Sequence, residues 1–172
     1  MPVHQFQALW MHDQFKSCKD PWILPIGQCV HGMEFSENAT LLVCWEVQSQ
    51  HWYSVQISLH IGIVYRHAVM DVDGVESTAE EPVIVKDVFV FTSDDTTHDN
   101  HFVHEVHRVV YTEHYAKKGI VFTKVNEWTD GCAVQYKCAN VYGDLAENWK
   151  KDFGFDIERF YFEVSIAEAI TV

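Results

Sequence analysis

Basic residues are scarce in this chain: Lys and Arg number 12 against 25 Asp and Glu in 172 residues, a formal net charge of −13. Wrapping a nucleic acid through a broad basic surface requires clustered Lys and Arg, so any nucleic-acid contact must be local. Long apolar runs are missing too. No stretch approaches the roughly 18 residues of a membrane helix, and the start, MPVHQFQALWMHDQF, has neither the basic nor the apolar region of an export signal. The cysteines Cys18, Cys29, Cys44, Cys132 and Cys138 are odd in number and form no CxxC pair. A disulfide framework and a zinc ribbon are thereby excluded, and a reducing compartment fits. The expectation is an intracellular protein of nucleus or cytoplasm with no membrane contact. Asn38-Ala39-Thr40 matches the glycosylation-acceptor pattern, but a chain without an export signal does not meet that machinery.

Apolar and aromatic residues, by contrast, are plentiful enough for one packed core, and the length suits a single domain. A helix is expected around Phe6 to Phe15, and the prolines and glycine of DPWILPIG mark a linker. Gln28–Phe35, Leu41–Val47, Val55–Tyr65 and Val83–Thr92 read as strands, with an exposed acidic loop over Asp71–Glu81. Phe102, Val103, Val106, Val109 and Val110 line one face of a helix from His98 to Ala116, opened by a capping-box-like Thr96/Asp99 and closed by Lys117-Lys118-Gly119. A strand over Ile120–Trp128 follows. Val134, Cys138, Val141, Tyr142, Leu145 and Trp149 then predict a second helix, and Phe155–Val164 a last strand. Strands first, then helix, strand, helix, strand, point to an open mixed sheet with helices on its faces, the RNase H-type succession. In that topology the first and fourth strands are parallel neighbours, and acids at their ends lie about 5 Å apart.

Several blocks then resemble a family of transposase-like proteins of invertebrate genomes, whose sequences carry DFAEN, EIQSAHW, SDD with a following His-Asp, and SDGxxQYK. Here they read Glu34-Phe35-Ser36-Glu37-Asn38, then Glu46-Val47-Gln48-Ser49-Gln50-His51-Trp52, Ser93-Asp94-Asp95 with His98-Asp99, and Thr129-Asp130-Gly131-Cys132-Ala133-Val134-Gln135-Tyr136-Lys137. A weaker match covers His4 to Phe15. The resemblance implies an α/β, RNase H-like mixed sheet of about five strands with flanking helices, lacking its last helix. It divides the chain into an N-terminal extension, 1–27, and a truncated RNase H-like domain, 28–172. It further implies acids that hold two Mg²⁺ (or Mn²⁺) ions for phosphodiester cleavage and strand transfer on DNA. Glu34 falls on the first-strand acid and Asp130 on the fourth-strand acid, so both are the expected catalytic and metal-binding residues.

Two departures weaken that activity. Glu34 stands where the family has Asp, and displacing a carboxylate by roughly 1 Å can cost about a hundredfold in rate. Where the family continues into HGKG and CDG, this chain turns into IAEAITV, so the third acid has no counterpart. The reading is therefore a degenerate or truncated transposase-like domain, weak or inactive; the alternative is a non-catalytic α/β binding module without metal chemistry. The missing helix should leave part of a sheet face uncovered and favour self-association through it.

Plainer explanations fit the other polar residues. Asp130-Gly131 alone is an ordinary strand-ending turn, and Asp94 and Asp95 suit a loop and helix start. His98, His101, His104 and His107 recur every three residues, a spacing that walks around a helix and gives a solvated face in preference to a zinc site. Trp45, Trp52, Trp128 and Trp149 lie in apolar runs and are expected in the core.

Overall fold

The computed structural model describes residues 3–41 and 55–162. The block Glu46–Trp52, with Cys44 and Trp45, and the stretch 163–172 lie outside them. A helix, α1 (Val3–Cys18), precedes β1 (Gln28–Phe35), β2 (Ala39–Leu41) and β3 (Val55–His67). A single helical turn, α2 (Met70–Asp73), leads to β4 (Ile84–Ser93). Next come α3 (Asn100–His107), which runs on as a π-helix over Arg108–Tyr115, and β5 (Lys124–Thr129). Three short helices, α4 (Ala133–Tyr136), α5 (Ala139–Glu147) and α6 (Trp149–Phe153), precede β6 (Asp156–Tyr161).

The strands form one open mixed sheet in the order β4-β3-β1-β5-β6, with β2 resuming the pairing of β1 along β3. β1 and β5 are parallel neighbours, as are β5 and β6, whereas β3 runs antiparallel to β1 and β4. The fold is α/β, and the expected adjacency of the first and fourth long strands is present.

Strand alternation sends residues to two different faces. Cys29, Val64 and Val125 point to the side of α3 and pack with Val106, Val110, Tyr111, Tyr115, Phe122, Trp149 and Phe155 in the main core. Val30 and Trp128 point to the other side, where Met11, Phe15 and Cys18 of α1 cover them. Those α1 residues recur at i, i+4 and i+7, so one stripe of the helix is inward and Phe6, Leu9 and Trp10 are exposed. The Phe15 ring lies 5.3 Å from Trp128 and would stand 3.5 Å from a Cβ on Gly32. The stretch expected as an extension therefore packs on the sheet, with Phe15 partly buried against it. Farther along the same face the cover stops: Ile61, Val88 and Val90 are exposed.

Three local expectations change. The helix over 134–149 is broken in three, at Cys138, which is extended (φ −85°, ψ 161°), and at Asn148 (φ −107°, ψ −36°). The first break turns Gln135 and Tyr136 inward and leaves Val134 and Tyr142 exposed. The cap of α3 is Asp99, whose side chain accepts the Phe102 N–H at 3.0 Å, in place of a Thr96 box. The acidic loop is not wholly exposed. Asp73 holds buried Arg66 through two hydrogen bonds of 2.7 and 2.9 Å, and Ser77, also buried, meets His67 Nδ1 at 2.7 Å.

Candidate functional site

The parallel register Gly32↔Trp128, continued by two residues, sets Glu34 opposite Asp130 at the C-terminal ends of neighbouring strands, about 5 Å apart. Burial, and then the nearby charge of Asp130, push the Glu34 carboxyl above its ordinary value. Neither acid is fully exposed. Asp130 Oδ1 accepts the Cys132 N–H at 3.0 Å, the Asx turn expected of an ordinary strand end. Its other oxygen makes no hydrogen bond among the described residues. Gly131 follows with φ 74°, and a Cβ there would meet Lys137 Nζ at 2.5 Å, so the lysine lies across this glycine with its ammonium 4.3 Å from the Tyr161 ring. Two hard oxygen donors held together suit one divalent cation. Among the described residues no third His, Cys, Asp or Glu joins them in a metal-binding set.

Other motif residues gather at the same end of the sheet. His98 stacks on Phe35, ring centroids 4.4 Å apart, and its Nε2 lies 2.7 Å from Asn38 Oδ1. Ser58, fully buried, donates to the Asp95 carbonyl at 2.7 Å. These bonds tie the loop after β4 to the β1–β2 turn, and the loop role expected of Asp95 holds.

Sequence reasoning missed a second set of polar groups, on the α3 side. His107 is buried, not solvated, and its Nε2 lies 2.5 Å from Glu127 Oε2. The other oxygen of Glu127 is ion-paired with Arg159 Nε. Burial alone would raise the Glu127 carboxyl, but Arg159 and His107 outweigh it and hold it below the ordinary range. His31 Nδ1 meets the Tyr111 hydroxyl at 2.8 Å, and Gly62 makes room for the ring: a Cβ there would stand 2.8 Å from His31 Nε2. Burial, with His107 next, pushes both His31 and His60 down to about 3, so both rings are neutral in the folded chain at neutral pH. The helical position of His107, three and four residues from Val110 and Val103 on the apolar stripe, was the available signal. Of the remaining histidines, His101 is exposed and half-buried His104 pairs with Asp144 at 3.2 Å; no zinc set forms among the described residues. Trp128 and Trp149 are core residues as expected.

Residues 12–168 match the family described as Domain of unknown function (DUF8701). The chain belongs to this family. No curated protein and no solved structure matches it. The DUF8701 match takes in the covering stripe of α1 from His12 onward, both acids and the buried polar network. Among the described residues no helix of this DUF8701 chain is long and apolar enough to cross a membrane.

Proposed function

We propose that this DUF8701 domain is a weakened transposase-like nuclease core of the RNase H type, acting on DNA phosphodiesters with Mg²⁺ or Mn²⁺ at Glu34 and Asp130. One observation carries the reading: Glu34 and Asp130 each lie two residues past the last pair of the parallel neighbours β1 and β5, and burial and the nearby charge of Asp130 raise the Glu34 carboxyl. Like charges held together are costly, and a bound cation relieves that cost. The cation would supply charge stabilisation during phosphodiester displacement. The chain's own residues do the rest. The Cys132 N–H fixes the orientation of Asp130, and Lys137 brings a positive charge to the same end, where a phosphate oxygen needs one. Activity is low because Glu34 is one methylene longer than the Asp of the transposase-like pattern, and only two acids converge among the described residues.

The bare Ile61, Val88 and Val90 on the same face support self-association there. A second reading, a binding module without metal chemistry, is favoured by the commitment of one Asp130 oxygen to the turn. Incubating supercoiled plasmid DNA with the protein and Mn²⁺ separates the two. The nuclease reading expects slow nicking that chelator abolishes and that the Asp130→Asn variant lacks. Nicking equal in wild type and variant, or none with Mn²⁺ or Mg²⁺ at high enzyme, decides for the binding module.

A further inference from the structure

The cleft between α3 and α5–α6, on the sheet face opposite the acid pair, holds about 590 Å³ and is used by nothing described above. His107, Gln135, Trp149 and Arg159 line its depth. Gln135 is only 8% exposed, and its carboxamide has no hydrogen-bond partner among the described residues. Trp149 is 2% exposed, and its indole N–H is likewise unpartnered. A buried polar group left unsatisfied, as the Trp149 N–H is, costs about 1–3 kcal/mol, while the Gln135 carboxamide opens onto the cleft with no protein partner among the described residues and is free to bond a ligand. The guanidinium of Arg159 is already neutralised by Glu127, which leaves the depth without net charge. Around the mouth stand Asp144, Glu147 and Asp152, with Asn100, Asn140 and Asn148 between them. Glu147 and Asp152 are exposed and form no ion pair among the described residues. An anionic ligand such as a nucleic-acid backbone is thereby rejected. Carboxamides match main-chain amides, and free carboxylates match ammonium or guanidinium groups.

We propose that this cleft binds a basic peptide segment of a partner protein, main chain against Gln135 and Trp149 and Lys or Arg side chains against Glu147 and Asp152. The site is independent of the acid pair and stands whether or not the domain cleaves DNA.

Fluorescence anisotropy with a labelled nonapeptide of alternating Lys and Ala, and with its Glu-containing counterpart, tests this at low salt. Saturable binding of the basic peptide alone is expected. The double variant Glu147→Gln/Asp152→Asn should weaken it about tenfold, whereas Glu80→Gln/Glu81→Gln, which removes the same charge from the α2–β4 loop, should change it less than about twofold. Gln135→Leu removes the carboxamide offered to the peptide main chain and should weaken the peptide about fivefold, with thermal unfolding showing that the variant is folded. Equal weakening by the two double variants, unchanged binding by Gln135→Leu, or no saturable binding would each overturn the proposal.

Discussion

The two faces of the sheet handle charge in opposite ways. On the α3 side Glu127, Arg159 and His107 are buried and matched to one another, and His31 is buried against Tyr111. On the α1 side Glu34 and Asp130 are only half-buried and repel one another, and neither forms an ion pair among the described residues. Buried charge that is paired internally holds a fold together, while charge left half-exposed and in conflict is available to a ligand. The His107–Glu127–Arg159 network is therefore structural, and the proposed metal chemistry falls to the α1-side pair, although the network contains the more strongly shifted groups.

Removing one partner from each face is the sharpest way to break this contrast. Glu127→Ala leaves Arg159 buried without its counter-ion and should cost about 3–5 kcal/mol, read as the urea midpoint with an unchanged slope. Acid should act on the α3 side next. His31 and His60 have folded values pushed well below the ordinary imidazole range, so below about pH 6.5 the unfolded chain binds protons that the folded chain does not. Stability is fully present above that pH and is lost below it by about 1.4 kcal/mol per pH unit for each histidine. Urea midpoints between pH 7 and 5 check this, and His31→Phe should flatten the fall. A smaller effect is expected for Gly131→Ala, where the left-handed φ costs about 1–2 kcal/mol and the methyl displaces Lys137; thermal unfolding reads it. Smallest of all is Asp130→Asn, which relieves repulsion of Glu34 while keeping an acceptor for the Cys132 N–H. It should leave stability within about 0.5 kcal/mol, and a loss above 2 kcal/mol would place Asp130 among the structural groups instead.

Much of the fold was legible because it rests on local pattern. The apolar run of β1, the β-branched runs of β3 and β4 and the valine stripe of α3 marked those elements, and the parallel adjacency of β1 and β5 followed from their succession. The acid pair was legible through sequence blocks and strand ends alone. The remainder depended on contacts distant in the chain. Nothing local distinguishes Glu127 from an exposed strand acid: its burial comes from Arg159 and His107, 32 and 20 residues away. The break after Tyr136 was hidden because Val134 and Tyr142 fit a helical apolar stripe, while the fold buries Gln135 and Tyr136 and exposes both of them. The cover that α1 gives the sheet was missed because its stripe of Met11, Phe15 and Cys18 is narrow beside exposed Phe6, Leu9 and Trp10.

The division between the two faces is tested most directly by titrating Mn²⁺ calorimetrically into wild type, Asp130→Asn and His107→Gln. Binding by wild type and His107→Gln but not by Asp130→Asn is expected. Binding that survives Asp130→Asn and disappears in folded His107→Gln would move the metal chemistry to the α3 side and contradict the assignment.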